Sequence, residues 1–285
     1  MTSSIVFPSS FNSKNIVFSA PKQLPSGAKQ AYLNYNGGKL VMQTATEMSI
    51  PFGMNVADKF GPPEYSVELS FRGHEQRPEI KEFMEVISQI DEKLLEEGVK
   101  NSKTWFKADL SRDVVKAFYT PCLKYSKDKE GNVLSYPPNI KLKLRKNPKS
   151  ESKSDKPTSN DFETKFYDIN GKGYTDVPAE DLLAKGVQVT AIIECAGVWF
   201  AGSKFGLTWR AKQIAVHKLP EKIADFAFKG LSSKMDDEAF RKPEPVQKPS
   251  VVEAVMPHVD EEGDDIEPEE VPKKKTIVKK VVSKK

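Results

Sequence analysis

Apolar and polar residues alternate with a period of two through much of the first 230 residues, which is the signature of half-buried strands. Tyr65–Phe71 reads this way, as does Ile140–Arg145. Val187, Val189, Ala191, Ile193 and Cys195 alternate against Gln188, Thr190 and Glu194. That run is expected to pair with Phe205–Val216 across a Gly202-Ser203-Lys204 turn. Tyr32–Tyr35 and Lys39–Thr44 flank Asn36-Gly37-Gly38, a glycine-rich hairpin turn. One long helix breaks the strands. Pro78 suits its first position, Ile80, Phe83, Met84, Ile87, Ile90 and Leu94 form a stripe at helical spacing, and Gly98 is expected to stop it. Shorter helices are predicted after Ser111, on Val114, Val115 and Phe118, and over Pro178–Lys185, ended by Gly186. Five or more strands with helices inserted near 78–118, and no regular strand–helix alternation, predict a mainly β (α+β) closed or half-closed barrel rather than a doubly wound sheet.

The pattern fades after Leu231. Pro243, Pro245, Pro249, Pro257, Pro268 and Pro272 crowd this stretch, and Phe240 is its one aromatic. Asp260–Glu270 holds eight acids and no base, and Lys273–Lys285 holds seven lysines and no acid. Such blocks bury too little apolar surface to offset chain entropy, so 231–285 is predicted to be a disordered tail beyond a 1–230 domain. Lys146–Asn160, rich in Lys, Ser, Pro and Asp, reads as a loop.

Composition narrows the function. The chain has 285 residues, 38% of them hydrophobic and 29% charged, with mean hydropathy −0.52. No stretch approaches the roughly 18–20 apolar residues that span a bilayer. The opening Met1–Pro8 lacks a cationic, apolar secretory signal, so the expectation is an intracellular protein with no membrane partner. Cys122 and Cys195 lie among apolar neighbours and are read as buried thiols. With His74, His217 and His258 scattered, no zinc site is expected. Phosphate-binding, dinucleotide-binding, zinc-protease and serine-hydrolase motifs are missing. Asp168–Gly173 begins like a calcium loop, but Lys172 and Ala179 stand where oxygen ligands are needed, so it reads as a polar turn. A binding protein without catalysis, cofactor or metal is the expectation.

Charge points to the partner. The formal net charge of +4 is a sum of unlike parts. Glu79–Glu97 carries seven acids and two lysines, and the tail carries 13 acids and 11 bases. The β-rich remainder is therefore about +11, as expected for a surface that meets a nucleic-acid backbone. In Ile140–Arg145 the apolar residues take one face while Lys141, Lys143 and Arg145 take the other. Alternate strand residues lie about 6.6–6.8 Å apart, close to the phosphate spacing of an extended strand. Tyr125 and Tyr136 precede this run. Gly197–Gln213 mixes Trp199, Phe200, Phe205 and Trp209 with Lys204, Arg210 and Lys212, the aromatic-and-cationic blend that stacks bases and neutralises phosphates. If Phe205, Leu207 and Trp209 face inward, Thr208, Arg210 and Lys212 face out. Gly197 can mark a bulge, which leaves open whether Trp199 or Phe200 points out. The helix aromatics and Trp105-Phe106 are assigned to the core.

The segment Val198–Ile214 resembles the C-terminal hairpin of the OB-fold single-stranded-DNA-binding proteins of nucleocytoplasmic large DNA viruses. The resemblance spans about residues 30–220 and is concentrated in this hairpin. It implies an elaborated OB-like barrel that coats single-stranded DNA, without sequence preference, in replication, recombination or repair. It also implies a viral protein working in the host cytoplasm or nucleus, whose acidic tail contacts replication partners. The basic terminus departs from the family pattern. An RNA-binding or scaffold protein of transcription or packaging, or an OB subunit of a nucleic-acid enzyme, are the alternatives.

Overall fold

The period-two stretches form strands, and five of them close into a ring. The computed structural model describes residues 5–219 except Ser26, Phe60 and 151–155, so the tail at 231–285 and its boundary lie outside the described residues. In chain order the elements begin with β1 (Ile16–Phe18), β2 (Lys22–Gln23), β3 (Lys29–Ala31), β4 (Leu33–Tyr35) and β5 (Gly38–Lys39). Next come β6 (Val41–Gln43), β7 (Met48–Ser49), β8 (Met54–Ala57) and β9 (Glu64–Ser70). Three helices follow, α1 (Pro78–Lys100), α2 (Ser102–Phe106) and α3 (Arg112–Phe118). The remainder is β10 (Tyr119–Thr120), β11 (Leu123–Lys124), β12 (Asn139–Leu144), β13 (Lys165–Asp168), α4 (Ala179–Leu182), β14 (Gln188–Ala201) and β15 (Lys204–Lys218).

The ring runs from β6 and β7 to β9, to β12, to β15, to β14 and back to β6 and β7. With β6 and β7 counted together as the first strand, the order is first, second, third, fifth, fourth. The third and fifth lie parallel, with Leu142 beside Trp209 and Lys143 beside Arg210. This is a mainly β, OB-like barrel. A parallel pair needs a long crossover, here supplied by β13, α4 and β14. The inward set of the alternation fills the barrel: Met48, Val67, Leu69, Ile140, Leu142, Val189, Ala191 and Ile193 are all solvent-excluded. Leu182 and Leu183, at the end of α4, join the same core.

The helices enter between β9 and β12. The inner stripe of α1, with Ile80, Phe83, Ile87, Ile90 and Leu94 fully buried, holds it to the barrel. At about 1.5–3 kcal/mol per large apolar side chain, that stripe outweighs the repulsion among surface acids. Gly98 corrects the sequence reading, because it lies inside α1 rather than at its stop. A Cβ there would come within 3.0 Å of Val115 and 3.3 Å of the Phe205 ring, so glycine is required by close packing. Trp105, Val115, Tyr119, Val198 and Phe205 build a second apolar cluster under this contact.

Two further boundaries differ from the sequence reading. The Asn36-Gly37 turn forms, with φ of 50° and 79°, but the strand expected over Lys39–Thr44 divides. Lys39 pairs with β4, whereas Val41–Gln43 crosses to β14, because the buried Leu40 carries the chain across to the barrel. The helix expected over Pro178–Lys185 is the single turn Ala179–Leu182. Of the loop at 146–160, Thr158–Asp161 is a capped 3-10 turn and 151–155 fall outside the described residues.

Candidate nucleic-acid interface

The β14–β15 pairing shifts register at three places, and the shift nearest the turn places the side chains of the hairpin tip. Ala191, Ile193 and Cys195 point into the barrel. The register then shifts between Cys195 and Gly197, leaving Ala196 without a partner. Beyond the shift Val198 is the inward residue and Trp199 the outward one. Gly197 makes the shift possible, since its φ of 129° excludes ordinary side chains and a Cβ would lie 2.7 Å from the Ala31 carbonyl. On β15, Phe205 and Trp209 point inward, and Gly206, Thr208 and Arg210 point outward.

Trp199 lies flat against Gly206. A Cβ on Gly206 would sit 2.9 Å from the ring and 2.9 Å from the Thr120 carbonyl of β10. The partly buried indole therefore rests on bare backbone and lines an open groove. Lys124, Lys141 and Lys143 line the same groove, with Glu64, Thr120, Pro121, Leu207, Thr208 and the barely exposed edges of Cys122 and Trp209. The groove encloses about 480 Å³, the scale of a small-ligand site. Sequence alternation alone had set Lys141 and Lys143 on one strand face, and the parallel β12–β15 pairing brings that face to Trp199. Lys124 was not singled out, because its two-residue strand is too short for periodicity to register.

Like charge is concentrated here. The Lys141 ammonium is held below the ordinary lysine range, first by burial and then by Lys124 and Lys143. Lys124 pairs with Glu68 at 3.1 Å and Lys143 with Glu64 at 2.9 Å. A bound polyanion would relieve the mutual repulsion of the three ammonium groups.

The floor of the groove is braced from α1. Asp91, counted above among the acids of the helix surface, is buried instead. Its carboxylate accepts hydrogen bonds from the Tyr119 hydroxyl at 2.5 Å and from the Cys122 amide at 3.0 Å. Burial raises its pKa, against the lowering effect of those bonds. The Trp209 indole N–H donates to the Cys122 sulfur at 3.3 Å. Burial pushes the Cys122 thiol well up and the Cys195 thiol to about 12, so both are inert thiols rather than nucleophiles.

Two proposed stacking rings are corrected by their burial, and the other proposed contacts differ in their surroundings. Phe205 is fully buried and Trp209 is 2% exposed, so neither can stack on a base. Phe205 packs against Trp105, Phe106 and Tyr119. Phe200 also borders the groove, but its ring is stacked on Phe205 and covered by the Lys29 ammonium at 5.1 Å. The Lys204 ammonium donates to the Ala117 carbonyl at 2.7 Å, which ties the hairpin tip to the last turn of α3. Arg145 pairs with Glu163 at 3.3 Å outside the groove. Arg210 lies beside Lys143 in register on the outer face, and Lys212 is exposed further along β15. Tyr125 and Tyr136 are 48% and 65% exposed at the base of a small arm closed by the Lys127–Val133 bridge, away from the groove lining.

Among the described residues there is no cluster of three or more His, Cys, Asp or Glu suited to a metal ion, and no helix is long and apolar enough to cross a membrane. The Asp168 carboxylate that opens the calcium-like stretch accepts from the Asn170 and Lys172 amides and closes a hairpin turn.

No protein-family profile and no curated protein matches the chain. Among solved structures it is similar to gp2.5, a single-stranded DNA binding protein encoded by bacteriophage T7, at 12% identity and TM-score 0.39, covering 65% of this chain and 90% of that one. It is also similar to the single-stranded DNA-binding protein from bacteriophage Enc34, at 12% identity and TM-score 0.37, covering 79% of this chain and 97% of that one. The same Enc34 protein in complex with single-stranded DNA gives 13% identity and TM-score 0.34, over 71% and 92% of the two chains.

Proposed function

We propose that this protein binds single-stranded DNA without sequence preference and without catalysis. One observation carries the reading: Lys124, Lys141 and Lys143 line a single groove together with the Trp199 ring, which is packed on Gly206. Lysines supply charge to phosphates, and an indole face accepts any base, so the pair binds a strand and reads no sequence. None of the acids of Glu79–Glu97 lines that groove, and Asp91 among them is buried. A role in viral DNA replication, recombination or repair, inside the infected cell, extends the reading from the resemblance of the Val198–Ile214 hairpin. Contacts between the acidic tail and replication proteins belong to that wider proposal.

Fluorescence titration with oligo-dT at several salt concentrations tests it. Trp105 and Trp209 are buried, so quenching should arise from Trp199. Three lysine–phosphate contacts predict a log–log salt slope of about −2, at roughly −0.7 per single-strand phosphate. Replacing Lys141 and Lys143 together by Ala should flatten that slope by about 1.4. Saturating oligo-dT with no quench and no binding would sink the proposal. A matched RNA oligomer that competes better than DNA would redirect it to RNA, whose 2′-hydroxyl is the distinguishing group.

A further inference from the structure

The groove has a negative side as well as a positive one. On the outer face of β9, Glu68 stands in register with Lys141 and Ser66 with Lys143, and Glu64 lies one alternation beyond Ser66. Both carboxylates reach toward the basic row, Glu64 to Lys143 at 2.9 Å and Glu68 to Lys124 at 3.1 Å. Across β12 the groove side carries Arg210 beside Lys143 and Thr208 in the lining, while Glu194 of β14, in register with Arg210, is turned to Lys39 at 3.5 Å and does not line the groove. Within the groove lining the order is therefore acid on β9, base on β12, then polar surface and the Trp199 ring on β15 and β14. A basic groove built for affinity alone has no use for the first of these rows, since each carboxylate lowers the local positive potential.

Resting on the reading proposed above, we infer that Glu64 and Glu68 are specificity-determining residues that make the groove reject duplex DNA. A single strand is flexible. It can set one line of phosphates over Lys141 and Lys143, turn its bases toward Trp199 and leave the β9 side empty. A duplex cannot, because it carries a second phosphate backbone at a fixed distance, about 6 Å or 12 Å across its two grooves. With one backbone on the lysines, the other is forced toward the β9 carboxylates or lifted off the surface. Like charges brought together at a partly desolvated interface suppress the wrong ligand more strongly than they weaken the right one. The same carboxylates hold Lys124 and Lys143 while the groove is empty, so a strand exchanges carboxylate for phosphate on lysines that are already ordered.

The test is the double variant Glu64→Gln/Glu68→Gln of the full chain, assayed with oligo-dT and with a blunt duplex of equal length at one salt concentration. Freeing two lysines should raise affinity for both ligands. The duplex should gain about tenfold or more and oligo-dT about threefold or less, so that single-strand preference falls at least about threefold. The single variants should each move the preference part of the way. Glu82→Gln/Glu85→Gln on α1 changes the net charge equally and should leave the preference unmoved, which separates a positioned repulsion from general electrostatics. Equal gains for the two ligands, or no gain for either, would overturn the inference while leaving single-strand binding intact. Wild-type protein that fails to bind oligo-dT overturns the underlying reading and this one with it.

Discussion

The two faces of the β14–β15 hairpin share their residue types and differ in what those residues do. The inner face carries Phe200, Phe205 and Trp209, and the outer face carries Trp199, Thr208 and Arg210. Trp209 closes the barrel, donates to the Cys122 sulfur and is 2% exposed, whereas Trp199 leans on a glycine at the edge of a lysine-lined groove. An aromatic ring supplies the same apolar area in either place. Enclosure by Leu142, Cys122 and the rest of the barrel makes Trp209 a stabilising element. One open side makes Trp199 available to a ligand. An aromatic-and-basic hairpin is thus half scaffold and half surface, and the bulge at Gly197 puts Trp199 on the surface half.

Three substitutions probe that division. Trp209→Ala should have the largest effect, a loss of roughly 3–5 kcal/mol of folding stability measured by urea denaturation, since it empties a core site and strips Cys122 of its donor. A loss below about 1 kcal/mol would mean that the inner face is not the structural one. Trp199→Ala should reverse the pattern. Affinity for oligo-dT should fall by about 1–3 kcal/mol and the fluorescence quench should vanish, while the urea midpoint stays close to that of the parent. Unchanged affinity would remove Trp199 from the interface. Gly206→Ala should have the smallest effect and sharpens the geometry. The added methyl cannot coexist with the indole and the Thr120 carbonyl where they stand, so the ring must tilt and binding should weaken several-fold, at a cost of about 1 kcal/mol in stability. Parent-like binding in a calorimetric titration would show that the ring's height over β15 does not matter.

Much of the barrel was legible in the chain. Period two marked β9, β12, β14 and β15, and the apolar stripe marked α1, because each of these elements buries one face and therefore writes its own period. The short elements were not legible. β6 and β11 contain three and two residues, too few to show a period, and the path of Leu40–Gln43 depends on which neighbour is nearby. Gly98 illustrates the same limit: as a residue it signals a helix end, and only the proximity of Val115 and Phe205 shows that it serves helix packing. In the candidate site, Lys141 and Lys143 followed from alternation. The exclusion of Phe205 and Trp209, the diversion of Lys204 to the Ala117 carbonyl and the part of Lys124 all depend on contacts between segments far apart in the chain, such as Lys204 and Ala117, separated by 87 positions.

Which residues alternate, where the long helix and the hairpin turn lie, and that positive charge is kept off the acidic helix are all written in the chain. These are local properties, set by a few successive residues and the solvent. Tertiary structure alone decided that the strands close in the order first, second, third, fifth, fourth, and that the bulge at Gly197 turns Trp199 outward. It also decided that the acids of β9 stand beside the lysines of β12. Register and closure are minimised over the whole barrel at once, because moving one strand by a single residue would exchange its buried and exposed faces.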